Sequence, residues 1–390
     1  MPIAVYILGL SIFCLGTTEF MISGLLPLLA QEFAVSIPKA ALLVSGFAVA
    51  VAIGGPPLTL ASLRTSQKAA LISLLILFTI GQTLGALAPT YAILMVARIT
   101  TALSVGAFFG IGAVVAVNLA GTEKHGKAIA VMFGGLTVAN IVGVPLGAFV
   151  GQHWGWRASF WIVAVLACVS LVGVIAFVPG SARSSTVDVM AELRPLRRPA
   201  MWSALATTAL SQAALFAVYS YIAPILTSVA GFSPGAVPPI LVLFGLGTFA
   251  GSYIGGHFAD RHLSLNLYIG LTMLAVVFAL FPIALLSKVT AIAIVFAFGI
   301  AAFAINPALQ TQVMRVATEA PTVASTVNIS AFNIGNTLGP WFGGITISAG
   351  YGYTSPAILA VVLAFASAIA AVVTAKLRQA HHGSNTGMSN

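Results

Sequence analysis

The sequence predicts an all-α integral membrane protein, with twelve transmembrane helices in two six-helix bundles and both termini in the cytoplasm. Three observations predict it. Hydrophobic residues make up 59% of the 390 and charged residues only 6%. Soluble domains carry about 25% charged residues, so this composition cannot clothe a water-facing surface. Apolar runs of the roughly 20 residues that a membrane helix needs recur along the chain. The second half also repeats landmarks of the first.

The runs lie near 4–29, 41–62, 69–88, 91–119, 128–150 and 158–179, and resume near 202–230, 236–257, 265–286, 289–315, 324–349 and 355–375. They divide the chain into an N-terminal bundle (1–179), a polar cytoplasmic linker (180–201), a C-terminal bundle (202–376) and a disordered tail (377–390). The first run follows no basic n-region and is too long for a signal-peptide core, so it reads as a retained span. The short alternating strands of a membrane β-barrel are absent.

Orientation follows from lysine and arginine. With the N-terminus inside, the inner loops hold Arg64, Lys68, Lys124, Lys127, Arg183, Arg194, Arg197, Arg198, Arg261 and Arg315, and the tail adds Lys376 and Arg378. The outer loops hold Lys39, Arg157 and Lys288, leaving Arg98 inside the fourth span. The net charge of +9 therefore reflects membrane sidedness rather than nucleic-acid binding. Cys14 and Cys168 lie in apolar runs and read as packing residues. The six histidines show no metal-ligand spacing, and no phosphate loop or other enzyme motif occurs. The chain reads as a non-enzyme that needs no cofactor or metal.

Shifted by 197 residues, Pro27 falls on Pro224, Arg64 on Arg261, and "WGWR" at 154–157 on "YGYT" at 351–354. A shift of 196 places Asn140, Gly143 and Gly147 on Asn336, Gly339 and Gly343. A parallel six-plus-six repeat is the pattern of transporters whose halves rock around a central site. Small residues recur every fourth position at Gly135, Ala139, Gly143, Gly147 and Gly151, at Gly247, Gly251 and Gly255, and at Gly335, Gly339 and Gly343. Such stripes let helix backbones approach closely. They serve either as fixed packing or as smooth faces that slide.

Several stretches resemble a known family. "GGHFADRH", Gly255 to His262, resembles the G-x-x-A-D-R signature of the major facilitator superfamily. "NIVGVPLGAFVG", Asn140 to Gly151, looks like its glycine–proline antiporter motif, with Asn140, Gly143, Pro145 and Gly147 as the matching positions. "TEF" in span 1, "GWRASF" after span 5 and "YSYIAPIL" in span 7 resemble its bacterial drug:proton antiporter-1 branch, near the arabinose-efflux and chloramphenicol-efflux groups. The resemblance implies the major facilitator fold, a place in the bacterial inner membrane, and a gate latch in which Asp260 reaches the start of span 11. Gly256, Asp260, Arg261 and Arg64 are the matching signature positions. The chain departs from the pattern between spans 2 and 3, where Leu63 stands opposite Asp260 in the repeat, and at Val144, where the motif has glycine.

Glu19 lies within span 1, flanked by Gly16 and Ser23 on one helix side. Acids inside membranes mark ion or proton paths, and loss of hydration favours the neutral carboxyl. Such a group can take up a proton on one side and release it on the other, or can be a structural residue bonded to a neighbour. Arg98 shares a side with Ala102, Gly106 and Gly110 and must be paired or donate to carbonyls. It is either a coupling partner or a fixed knot. Gln212, Tyr219, Tyr221, Asn306, Gln310 and Asn333 form a polar, uncharged candidate substrate wall, or else interhelical hydrogen bonds. Asn140 is a further candidate for this wall, and Phe108, Phe109 and Phe133 are candidates for its apolar part.

The expected function is export of a drug-like, sugar or nucleoside-like molecule in exchange for protons, by a monomer with no nucleic-acid partner. The alternatives are a proton-independent efflux facilitator and a non-transporting membrane sensor.

Overall fold

The computed structural model describes residues 1–62, 65–120, 125–180, 194–261, 263–317 and 321–386. The protein is almost entirely helical, and eleven helices among the described residues are long and apolar enough to cross a membrane. Span 1 is Ile3–Glu32, span 2 Ile37–Ser62, span 3 Gln67–Ala86 and span 4 Tyr91–Ala120. Span 5 is broken into His125–Val138 and Val144–Trp154, and span 6 is Trp156–Phe177. Span 7 is Pro199–Tyr219 with an irregular continuation, span 8 Val237–Arg261 and span 9 Leu263–Ala284. Span 10 is Lys288–Ala304 and Asn306–Val316, span 11 Pro321–Thr346 and span 12 Ser355–Thr386. Span 11 is a full-length helix that falls outside the eleven because Thr, Ser and Asn interrupt its apolar residues.

The breaks have local causes. Ser66 caps span 3 by accepting from the Ala69 N–H at 3.3 Å. Pro145 has no N–H for the carbonyl four residues back, and a π-helical turn, Ala139–Gly143, lies directly before it. Pro307 opens the second half of span 10 in the same way. Gly155 and Gly352 both take left-handed backbone, with φ of 85° and 75°. They lie 197 residues apart and make the same sharp turn between the last two spans of each half, so the sequence repeat is also a repeat of backbone geometry.

Span 12 does not stop at 375. Its helix continues to Thr386, through "AKLRQAHH", which corrects the disordered tail expected from 377 onward. Alanine, lysine, leucine, arginine and glutamine are strong helix formers, and their polarity did not outweigh that preference.

The chain forms two compact units. The first comprises 1–185 with 219–246, and the second 186–218 with 247–390. In the first, the glycine stripe of span 5 lies along span 1. A methyl group added at Gly135 would meet the Gly9 carbonyl, and one at Gly143 the Thr17 hydroxyl. Added at Gly147, it would lie 3.3 Å from Met21 Cβ. The hairpin 219–246 joins this unit through Gly245, whose missing side chain admits the Asn140 carbonyl at the π turn. In the second unit Gly247, Gly251 and Gly255 lie against Phe296, Ile300 and Ala304 of span 10, while Gly335 and Gly339 lie against span 7. All three stripes are thus contact faces between helices.

Candidate transport site

In the first unit, four spans meet at one guanidinium. Arg98 of span 4 is 1% exposed. Its Nη1 donates to the Thr18 carbonyl of span 1 at 2.7 Å and to the Thr18 hydroxyl at 3.3 Å. Gln82 of span 3 donates to that same hydroxyl at 2.7 Å. Phe47 of span 2 lies beneath the guanidinium, 4.1 Å from it to the ring centroid, a cation–π contact strengthened by the absence of water. Arg98 Nε and Nη2 have no hydrogen-bond partner among the described residues. Glu19 is the next residue along span 1 from Thr18 and interacts electrostatically with Arg98. It is partly accessible, whereas Arg98 is enclosed. Glu32, the other acid whose side chain is described, is bound to Arg157 at 2.7 Å. Glu19 is therefore the counter-charge of Arg98 among the described residues.

The same unit holds an aromatic group. Tyr219 lies 5.9 Å from Phe20 and 4.7 Å from Phe244 between ring centroids, and both Tyr219 and Tyr221 are buried. Phe109 and Phe133 pair at 5.7 Å. Asn140, in the π turn, is 3% exposed, and its side-chain oxygen has no partner among the described residues.

The second unit carries two hydrogen-bonded carboxamide groups. Gln212 of span 7 donates to Asn306 of span 10 at 3.0 Å. Thr208 of span 7 donates to the Asn328 oxygen at 2.8 Å, and Asn328 of span 11 donates to Gln310 of span 10 at 2.6 Å. Asn333 donates to the Ile329 carbonyl one turn back at 3.0 Å, and its own side-chain oxygen is unpartnered among the described residues. Spans 7, 10 and 11 are thus joined by neutral polar groups, with the Asn333 oxygen left over to accept a hydrogen bond.

The family model of the Major Facilitator Superfamily matches residues 8–332. The chain belongs to the Major Facilitator Superfamily. It is 43% identical over 357 residues to the inner membrane transport protein YdhP of Escherichia coli K12, covering 92% of each chain. It is 31% identical to a chloramphenicol resistance protein of Streptomyces lividans, with 91% of this chain and 92% of that one covered. It is 33% identical to the putative transporter AraJ of Escherichia coli K12, with 92% of each covered. The fold is similar to that of a bacterial homologue of the human lysosomal transporter Spinster in an inward-facing, occupied conformation. That likeness has a TM-score of 0.75 at 18% identity over 96% of both chains.

The predicted site residues fall in both units of this superfamily fold. Glu19 and Arg98 come together. Gln212 pairs with Asn306, Gln310 joins Asn328 and Thr208 in a second group, and Asn333 lies on the same helix as Asn328. Tyr219 and Tyr221 belong to the first unit and the carboxamides to the second. Gly143, Pro145 and Gly147 lie buried at and after the π turn of span 5. Arg64 lies outside the described residues, as do the side chains of Asp260 and Arg261, so the latch is not described; a side chain at Gly256 would meet open space. Sequence reasoning missed Thr18, Phe47, Gln82 and Asn328. Gln82 had a signal, being the one carboxamide in the apolar run 69–88, as did Asn328 in "NIS".

Proposed function

We propose that this protein exports a small neutral or moderately amphipathic organic molecule from the bacterial cytoplasm in exchange for protons, by alternating access in the inner membrane with both termini inside. The observation that carries the reading is a partly accessible Glu19 within electrostatic reach of an enclosed Arg98 that spans 1 to 4 surround. An ionised Glu19 balances the guanidinium. A proton on Glu19 removes that balance and leaves a buried cation held only by a carbonyl, a hydroxyl and a ring face. Buried charge without a counter-ion is costly, so each protonation state favours a different arrangement of the helices. Protonation is thereby tied to conformation.

The substrate class is supported by the polar groups of the second unit, which are neutral carboxamides and hydroxyls. Such groups orient hydroxyls and amides, whereas a strongly anionic ligand calls for arginine or lysine. Likeness to a chloramphenicol resistance protein and to AraJ supports efflux, and likeness to YdhP supports the inner membrane. A proton entering down 100 mV yields about 2.3 kcal/mol, enough for a substrate gradient of roughly 50-fold. No covalent chemistry is required of the protein.

The test is flux in proteoliposomes with imposed pH and voltage gradients, comparing the wild type with Glu19→Gln. We expect gradient-driven flux in the wild type. In Glu19→Gln we expect that flux to be lost while equilibrium substrate binding and substrate-for-substrate exchange persist. Wild-type flux indifferent to both gradients would replace antiport with facilitated efflux. Full gradient-driven flux in the variant would remove Glu19 as the coupling group.

A further inference from the structure

Each half of the chain carries a groove of about 410 Å³ on its outer wall, one between spans 3 and 6 and one between spans 9 and 12. Both are lined on their last span by six residues in the same register. Trp161 corresponds to Phe365, Ala164 to Ala368 and Val172 to Lys376, each 204 residues on. The other landmarks repeat at 196 or 197 residues. The second groove is therefore displaced along its helix by about seven residues, roughly 10 Å or two turns, toward the end that carries the C-terminus. That displacement changes its chemistry. The first groove ends on Val172, whereas the second ends on a lysine.

Beyond Lys376 the basic character continues. Arg378 lines a small recess with Tyr268, which also lines the groove, and with Gln312. Gln312 is 4% exposed, and its side-chain oxygen is unpartnered among the described residues. Arg315 is near enough for its charge to act on Arg378. Neither Lys376, Arg378 nor Arg315 has a carboxylate partner among the described residues. Arg315 and Arg378 lie close together and Lys376 ends the groove, so this end of the unit presents cations with no carboxylate partner among the described residues, which suits an anion. From Phe365 to Lys376 is eleven residues, or about 16 Å of helix. A single leaflet of the hydrocarbon core is about 15 Å deep. The groove is thus about as long as one leaflet is deep, with Lys376 at its polar end.

We propose that the groove between spans 9 and 12 is a binding site for an anionic phospholipid. One acyl chain lies along Phe365, Ala368 and Val372, and the headgroup phosphate is held by Lys376 at the groove's end, with Arg378 reaching it from the adjoining recess. The hydroxyls or amines of the headgroup satisfy the Gln312 oxygen. Basic recesses between membrane helices hold anionic headgroups by charge. The slot adds selection for a lipid over a soluble phosphate, because only a lipid fills it. The corresponding groove on spans 3 and 6 accepts acyl chains without choosing among headgroups.

The full-length protein is reconstituted in bilayers of equal phosphatidylglycerol and phosphatidylcholine, extracted mildly, and the retained lipid counted by native mass spectrometry. The wild type should retain phosphatidylglycerol in preference. The double variant Lys376→Gln/Arg378→Gln should lose that preference at least fivefold. Ala368→Trp, which fills the slot and leaves the charges, should lose it likewise, while Ala164→Trp in the other groove should keep it. Equal retention in the wild type and the double variant overturns the site. Loss in the double variant with full retention in a folded Ala368→Trp overturns the slot and leaves only diffuse charge. If Ala368→Trp does not fold, Ala368→Leu serves in its place, with the same outcomes deciding.

Discussion

Gly134 and Gly135 are neighbours in the first half of span 5 with opposite surroundings. A methyl group added at Gly134 meets nothing within 4 Å, whereas one added at Gly135 collides with the Gly9 carbonyl and lies 3.1 Å from the Phe13 nitrogen. Replacing glycine by alanine within a helix contributes about 1 kcal/mol of stability through backbone entropy and propensity. That gain is common to both positions. Gly135→Ala must in addition push spans 1 and 5 apart, since the obstructing atoms are backbone and cannot swing aside. Overpacking of this kind costs about 1–3 kcal/mol, so the two variants should differ by about that amount. Thermal unfolding of the purified protein in detergent is the assay. We expect Gly134→Ala to unfold at or above the wild-type temperature and Gly135→Ala below it. Equal unfolding temperatures would refute close packing of the stripe. Transport in the same pair separates fixed packing from a sliding face. A sliding face predicts slowed turnover in Gly135→Ala even where it is fully folded.

The remaining predictions concern the site and the topology. Asn328→Ala removes the link between Thr208 and Gln310. It should cost about 1–3 kcal/mol of stability, because buried partners are left unsatisfied, and Asn328→Asp should not restore it. Arg98→Lys keeps the charge but not the planar group that reaches Thr18 while lying over Phe47. It should abolish gradient-driven flux, and wild-type flux in that variant would show that charge alone suffices. Cysteines placed at 190 and 385 should react with impermeant reagents only from the cytoplasm, and labelling of either in intact cells would reverse the proposed orientation.

The membrane fold was legible in the sequence because it rests on long apolar runs, which need no knowledge of partners. The turns at Gly155 and Gly352 were legible as a repeated "G" between aromatic residues. The partners of Arg98 were not. Thr18 and Phe47, and Gln82 which binds the Thr18 hydroxyl, lie on three different spans, and which of their faces meet depends on how four helices are rotated against each other. Hydrophobic pattern could not supply those rotations, since most faces of these helices are apolar. The π turn at Ala139–Gly143 was hidden for a related reason. Pro145 announces a disturbed helix, but whether the freed carbonyl bends the helix or widens it by a residue is decided by what packs alongside. Here Gly245 leaves room for the Asn140 carbonyl. The extension of span 12 was misread because polarity was taken for disorder, whereas its first residues, Ala375 to Ala380, favour helix.

A carboxylate and a guanidinium can couple a proton to movement only if one stays in place while the other changes state. Arg98 has the features of the fixed member. Its hydrogen bonds go to span 1 itself, at Thr18, one residue before Glu19. Its ring partner comes from span 2, and Gln82 of span 3 holds the Thr18 hydroxyl. In the proposed coupling Glu19 is the changing member, partly accessible at the edge of that cluster. The charge of the cluster therefore differs by one unit between the two protonation states, at the point where the first four spans converge. Span 5 contacts the same span 1 through a glycine stripe, which presents few side chains to interlock. A change of charge at Glu19 thus acts on a helix that is tied firmly to spans 2, 3 and 4 on one side and borders a smooth surface on the other. Movement should follow the smooth side, with spans 1 to 4 shifting together against span 5. Distance measurements between labels on spans 1 and 5 and on spans 1 and 4, at high and low pH, test this. The first distance should change and the second should hold, and a change confined to spans 1 and 4 would locate the moving joint at Arg98 instead.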